Sequence, residues 1–357
     1  MINNTKKKQD IARFNIDLKT RNEDVILKLA ERLLSSGQYD QCYQLLSDIA
    51  PALQENKNIN AVLSRLYRKW IPRWHFSMLN DQNRVQAFSD AINKLNLKDK
   101  TVLDVGTGTG LLSMMAAAHG AKHIYTCEAL PPIAEVAKKI IKNNGFESKI
   151  TIIPKMSHDL KIGCDLQERA DVLISETIDC GFVGEGFLTS LLHARANLLK
   201  PNAILLPQKF CLQGYLIESR DIFNLNKVES ALGFDISDFN KFSSRGYFPV
   251  RLNTWQHELR SDPFTLIKID LDKFNSTKIK NEIHCTATSS GIIHGVAFWF
   301  DVNLNDEIKI SNHHANRKSH WMQAFACFDK PRAVTKNQKL IIDFILENDS
   351  IEILMGC

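Results

Sequence analysis

Two stretches of the chain carry residues whose types and spacing could do chemistry. The first is Val102-Leu103-Asp104-Val105-Gly106-Thr107-Gly108-Thr109-Gly110, which runs from a strand into a helix. Glycines there let the backbone turn sharply and come close to a ligand. The helix start that follows offers unpaired N–H groups. A dinucleotide site is the rival reading, but the spacing is GxGxG rather than GxGxxG. Asp104, at the strand end, would repel a pyrophosphate and attract a sulfonium or an amino group. Glu128 ends the next strand, where a carboxylate accepts two hydrogen bonds from ribose hydroxyls. Asp104, Gly106, Gly108 and Glu128 together favour S-adenosylmethionine over NAD.

The second stretch is Ser175-Glu176-Thr177-Ile178-Asp179-Cys180-Gly181-Phe182-Val183-Gly184-Glu185-Gly186. It follows the strand ADVLISE at the edge of the sheet where ligands bind in such folds. Six acidic residues and one basic residue lie between Asp165 and Glu185. An acidic run is usually a solvated face, but the glycines and apolar residues here predict a folded-back turn that brings Glu176 and Glu185 face to face. Two adjacent carboxylates repel unless a cation lies between them. A guanidinium suits that place, being planar and pairing bidentately with carboxylates. His313-His314 suggests a metal, but no third ligand is near in sequence, and a polar loop is the better reading; no metal is expected.

The elements that must position these residues can be read from pattern. The chain has 357 residues, 44% hydrophobic and 24% charged, which suits two globular domains or one with an appendage. Lys+Arg 45 against Asp+Glu 40 gives a net charge of +5, no ground for nucleic-acid binding. The eight cysteines form no CxxC pair and read as reduced thiols of a cytoplasmic or nuclear protein. No signal peptide or membrane span is expected. Residues 1–22, with Lys6-Lys7-Lys8, are expected to be a disordered tail. Residues 23–70 show helical periodicity and predict a helix–turn–helix pair, broken at Gly37 and ended by Pro51, either similar to one tetratricopeptide unit or a helical hairpin capping the next domain. Residues 71–207 alternate apolar strands with helices. The fold class is therefore α/β, with a mostly parallel, Rossmann-like sheet covered on both faces. Residues 208–357 read as an antiparallel β domain, interrupted by a helical segment near 220–247.

With these segments in place, the sequence resembles the protein arginine methyltransferases. VLDVGTGTG resembles that family's cofactor loop, YTCE its ribose-binding acid, and SETIDCGFVGEG its double-glutamate loop. KSHWMQ resembles its Thr-His-Trp loop, and HFSMLNDQNR its N-terminal motif. The match covers roughly residues 65–357, and its wording is most similar to the seventh and ninth members. The resemblance implies a class I S-adenosylmethionine-dependent methyltransferase domain followed by a β-barrel. It implies that Arg84 pairs with the cofactor's methionine carboxylate with His75 beside it, and that Met156, Ser157 and either His158 or Asp159 flank the adenine. Glu176 and Glu185 would grip the substrate guanidinium, Met78 would line its pocket, and His320 and Trp321 would close it. The 220–247 segment would be a dimerisation arm; with one module in the chain, a homodimer is expected.

The implied reaction is in-line methyl transfer from a sulfonium to an arginine nitrogen of a protein substrate. A guanidinium with a pKa above about 12 is a poor nucleophile. Carboxylates at two of its nitrogens leave the third with more lone-pair character, and positioning supplies most of the rest. Glu185 or Asp179 would accept the proton, or the proton would leave after transfer. Asp179 and Cys180 stand where most of the family has a glycine and an aromatic residue, which implies a narrowed pocket and a monomethyl or symmetric dimethyl product. The alternatives are a methyltransferase for a small molecule and an inactive, partner-binding scaffold. Intact Asp104, Glu128, Glu176 and Glu185 argue against the scaffold.

Overall fold

The computed structural model describes residues 23–53, 56–276 and 278–356. The tail expected over 1–22 lies outside them. The chain divides into two compact units, with the boundary between Ser77 and Met78 rather than near residue 70. The expected separation at residue 207 does not divide the second unit, because one hydrophobic core continues from the parallel sheet into the antiparallel strands.

Among the described residues of 23–70 there are three helices where the pattern predicts two: α1 (Glu23–Ser35), α2 (Tyr39–Leu53) and α3 (Lys57–Trp70). Glu23 and Asp24 sit in the first turn of α1, where the helix dipole favours them. The Asn56 side chain caps α3 by accepting from Asn58 N and Ile59 N. Pro51 does not end α2, which continues to Leu53. Ile26, Ala30 and Leu34 of α1 pack with Cys42 and Leu46 of α2 and with Ile59, Val62 and Leu66 of α3. This spacing of three and four residues gives each helix one apolar stripe.

A short helix α4 (Trp74–Leu79) crosses the boundary, and α5 (Gln82–Asn93) opens the second unit. Then come β1 (Thr101–Val105), α6 (Leu111–Ala118), β2 (His123–Cys127), α7 (Pro131–Asn143), β3 (Ile150–Ile153), β4 (Ala170–Ser175), α8 (Phe187–Asn197) and β5 (Leu199–Leu206). The strands form one sheet in the order β3-β2-β1-β4-β5, and every pairing is parallel. All five residues of β1 are buried, as befits a strand covered on both faces. The order turns back between β1 and β4, and this switch point opens a crevice at the carboxyl ends of the strands. Both chemical loops leave the sheet there, one after Val105 and the other after Ser175.

The antiparallel part confirms the second half of the expected architecture. Its central strands are β6 (Lys209–Glu218), β13 (Gly291–Asn303) and β15 (Gln323–Val334), joined by β9 (Phe248–Val250) on β15, by β10 (Glu258–Leu259) and β11 (Phe264–Asp270) on β6, and by β14 (Lys309–Ser311) on β13. A second sheet pairs β12 (Lys278–Thr286), β16 (Lys339–Glu347) and β17 (Ser350–Met355). Along β16 buried residues alternate with half-buried ones, and only the end residues Lys339 and Glu347 are exposed, so one face packs on the core.

The 220–247 segment is not the helical arm the sequence predicts. It holds one turn of helix, α9 (Arg220–Phe223), the two-residue strands β7 (Ser230–Ala231) and β8 (Phe234–Asp235), and a 3-10 turn over Ser237–Phe242. Asn224, Asn226 and Gly233 favour turns over helix, and Gly233 takes a left-handed φ of 86°. Leu232, Phe234, Phe239 and Phe242 of this insert are exposed. No helix among the described residues is long and apolar enough to cross a membrane, and no group of three metal-ligating side chains occurs among them.

Candidate active site

The glycine loop forms as the sequence predicts. Gly106, Gly108 and Gly110 all have positive φ. A Cβ on Gly106 would stand 2.8 Å from Thr177 Cγ2, so the two chemical loops touch at this glycine. Asp104 is fully buried. Its Oδ2 accepts from Ser113 Oγ at 2.6 Å and Thr126 Oγ1 at 3.2 Å, while its Oδ1 has no partner. Burial pushes its carboxyl up to about 7, with Glu128 and Glu176 adding repulsion. Glu128 accepts from Gly108 N and Leu130 N, each at 3.0 Å, so its two oxygens are aimed across the loop.

The second loop places Glu176 and Glu185 on one site. Each acts electrostatically on its surroundings there: burial first, then Glu176, then Asp179 push the Glu185 carboxyl up to about 7. Glu185 itself is exposed. Glu176 is already engaged. Arg84 Nε donates to its Oε1 at 3.0 Å and the terminal Arg84 nitrogen to its Oε2. The resemblance assigns Arg84 to the cofactor and Glu176 to the substrate; in this structure they hold each other. The loop between the glutamates is folded back by Phe182, a non-glycine at φ 76°. That strain is offset by burial of its ring, stacked on Phe210 at 3.8 Å.

Asp179, expected beside the substrate, turns into its own loop instead. Its Oδ1 accepts from Gly181 N at 3.2 Å and Gly184 N at 3.0 Å, and its Oδ2 from Tyr247 Oη at 2.7 Å. With its oxygens occupied, it is a poor candidate for taking a proton from substrate, which leaves Glu185.

His320 and Trp321 reach the site from the loop before β15. Asp81 Oδ2 accepts from His320 N at 2.9 Å and stands 3.0 Å from His320 Nδ1, while Asp81 Oδ1 caps α5 through Arg84 N at 3.0 Å. Burial would raise the Asp81 pKa, but the N–H groups of His320 and Arg84 and the His320 ring outweigh it and hold it below the ordinary carboxylate value. Burial lowers the His320 pKa against the pull of Asp81. Trp321 Nε1 donates to Ile178 O at 2.8 Å, tying the tryptophan to the double-carboxylate loop. Asn312 is a residue that sequence reasoning missed. Fully buried, it donates to Cys180 O at 3.0 Å and Met322 O at 2.7 Å and so joins both loops. A single asparagine before His313-His314 gives no signal in the sequence.

The remaining expected residues are spread along the crevice and beyond it. Met78 is buried at the end of α4. Met156 is exposed, Ser157 is buried with its Oγ 3.2 Å from Ser190 Oγ, and Asp159 is exposed on the same 3-10 turn. The His158 ring lies 5.1 Å from that of His193, tilted by 42°. His75 belongs to the first unit, where its ring lies 4.0 Å from that of Trp74 and its Nδ1 2.8 Å from Pro72 O.

Known proteins match in the same places. Residues 214–352 match the arginine methyltransferase oligomerization subdomain, and residues 88–204 match the ribosomal protein L11 methyltransferase (PrmA) family. An arginine N(omega)-methyltransferase of Streptomyces achromogenes subsp. streptozoticus is 41% identical over 279 residues, 78% of this chain and 77% of that one. This chain is a member of the arginine methyltransferase family. Protein arginine N-methyltransferase 9 of Mus musculus is 28% identical over 87% of this chain, which spans only 40% of that relative's length. The fold is shared with the PRMT1 enzyme–prozyme heterotetrameric complex of Trypanosoma brucei, at a TM-score of 0.67 and 24% identity over 78% of this chain and 90% of that one.

Like its family, the chain is an S-adenosylmethionine-dependent methyltransferase. Its residues fit that donor. The orphaned, buried Asp104 Oδ1 is an acceptor in need of a donor group such as an ammonium. Gly108 leaves open space where a side chain would stand, and the Glu128 carboxylate keeps lone pairs for ribose hydroxyls. Arg84 would serve the donor's carboxylate once released from Glu176.

Proposed function

We propose that this arginine methyltransferase places a methyl group on a terminal guanidinium nitrogen of arginine residues in proteins. The observation that carries the reading is the Arg84–Glu176 pair: Glu176 already grips a guanidinium edge-on through both oxygens. An acceptor arginine would take that seat with its other edge toward Glu185. The sulfonium supplies an already activated methyl, so the chain's residues have only to orient and deprotonate. Glu176 and Glu185 draw positive charge to two nitrogens, and the third attacks the methyl carbon. The N–C bond forms as the C–S bond breaks, and the surplus proton passes to Glu185, whose raised pKa suits it as an acceptor near neutral pH. Asp81 holds His320 by both its backbone N–H and its ring, at the side where Arg84 and Glu176 meet.

The product is proposed to be monomethyl or symmetric dimethyl arginine. Asp179 supports this by drawing the Tyr247 ring against Gly181 and Gly184, which leaves less room on that side of the loop. A homodimer is proposed through the exposed apolar side chains of the 220–247 insert, within the region that matches an oligomerization subdomain. The cytoplasm or nucleus is the proposed location, and the seven free cysteines among the described residues support it.

A second acceptor, arginine itself, is favoured by one observation: the Streptomyces relative is matched over most of both chains, and its name specifies arginine. Labelled methyl transfer from S-adenosylmethionine, offered to an arginine-rich protein and to L-arginine in parallel, tests both. Transfer to neither, or transfer undiminished in Glu176→Gln, would refute the proposal.

A further inference from the structure

Tyr247 lies outside every motif of the sequence. It follows the exposed insert and leads into β9, which pairs with β15 just past His320 and Trp321. Its hydroxyl donates to Asp179 Oδ2 at 2.7 Å, and its ring meets Phe298 edge-on at 5.3 Å. The backbone before it has no freedom to wander. Gly246 sits at φ 79°, and a Cβ there would stand 2.5 Å from Ile351 O.

The same tyrosine explains two glycines of the carboxylate loop. A Cβ on Gly181 would lie 2.6 Å from Tyr247 Cε2. A Cβ on Gly184 would lie 2.5 Å from Asp179 Oδ2 and 2.7 Å from Tyr247 Oη. Neither glycine has a positive φ, so the turn itself does not require them. What requires them is the closeness of the ring and the carboxylate. Asp179 stands between Glu176 and Glu185 in the chain, and Gly184 immediately precedes Glu185. The three hydrogen bonds to Asp179, from Gly181 N, Gly184 N and Tyr247 Oη, therefore set where the Glu185 backbone starts.

We infer that Tyr247 is a positioning residue for the acceptor site: by clamping Asp179 over Gly181 and Gly184, it fixes the Glu185 carboxylate relative to Glu176. This rests on the reading of the two glutamates as the guanidinium seat. It also has an electrostatic side. Glu185 is faced by Glu176 and Asp179, and Asp179 in turn by Tyr247, Cys180 and Glu185. Arg84, His320 and Asp104 act on the cluster through Glu176. The Tyr247 hydrogen bond favours the ionised form of Asp179 against its burial. Without that bond Asp179 stays protonated to higher pH, repels Glu185 less, and lets Glu185 ionise at lower pH.

The test is Tyr247→Phe, which keeps the ring and removes one hydroxyl. Its kcat should fall about ten- to a hundredfold with little change in the KM for the methyl donor. The acid limb of its pH–rate profile should move to lower pH. Hydrogen exchange of residues 177–186 should quicken while the parallel sheet stays protected. Gly184→Ala, which pushes the clamp apart from the other side, should give the same exchange pattern. Unchanged exchange in that segment, or quickened exchange with native kcat and an unmoved acid limb, would overturn the inference. A native chain inert toward every arginine acceptor, with exchange quickened in the variant, would overturn the arginine reading and leave the clamp established.

Discussion

Arg84 and Glu176 close on each other as a bidentate pair, with both side chains only 5% exposed. The chain thereby fills the proposed acceptor seat with its own guanidinium. Breaking a buried pair from one side leaves an uncompensated charge, a loss of about 3–5 kcal/mol. Glu176→Gln should destabilise the unliganded protein by an amount of that order and reduce methyl transfer at least about a hundredfold. The donor's carboxylate can replace the lost partner of Arg84. Denaturation with and without S-adenosylmethionine should therefore show a larger ligand-induced stabilisation in the variant than in the native chain.

The same pair implies an order of binding. An acceptor guanidinium can take Glu176 only after Arg84 has left it, and a carboxylate on the donor gives Arg84 somewhere to go. Titration calorimetry with an arginine peptide should show at least about tenfold weaker binding in the absence of S-adenosylhomocysteine than in its presence. Equal affinities would mean that Arg84 vacates the seat unaided.

The pH dependence should separate activity from stability. Asp104 and Glu185 both have carboxyl pKa values raised to about 7 in the folded protein. In the unfolded chain they return to about 4. The folded state therefore binds more protons between these values, and the stability tied to these groups is full below about pH 4 and lost as pH rises through about 7. Methyl transfer needs Glu185 ionised and should rise over the upper part of that interval. Asp104→Asn should be more stable than the native chain at pH 8 in thermal melts, yet bind the methyl donor more weakly.

Asp81 carries the opposite sign. Its depressed pKa means that the stability it contributes is present above about pH 4 and lost as pH falls further. Asp81→Asn should cost about 1–2 kcal/mol near neutral pH, through the weakened α5 cap and the weakened hold on His320. The gap from the native protein should narrow in acid denaturation. Its kcat should drop more than its KM for the donor rises.

Exposed Leu232, Phe234, Phe239 and Phe242 give the insert an apolar surface that a second copy can cover. Replacing Phe234 and Phe239 by Ser should leave the fold intact, because neither side chain is buried. Light scattering at micromolar concentration should then report a dimer for the native chain and a monomer for the double variant.

Much of this site could be read from residues that act locally. Asp104, Gly106 and Gly108 are legible because a strand, a tight turn and a helix start follow one another without interruption. Glu176 and Glu185 are legible because glycines between acids signal a returning loop. What escaped the sequence depends on contacts far apart in the chain. Asn312 reaches Cys180 across 132 positions and Arg84 reaches Glu176 across 92, and neither leaves any periodicity behind. The charge of Asp179 suggests a substrate contact, whereas two N–H groups of its own loop and the distant Tyr247 hydroxyl occupy its oxygens. The insert reads as helix because its apolar residues fall at helical intervals, although Leu232, Phe234, Phe239 and Phe242 are left exposed among the described residues.

The missing side chain at Gly106 has an evolutionary consequence. A methyl group there would strike Thr177, so the donor loop and the acceptor loop were not free to drift separately. Because Gly106 also takes a φ of 92°, where a side chain is strained whatever the space, a smaller residue in place of Thr177 should not by itself admit a larger one in place of Gly106.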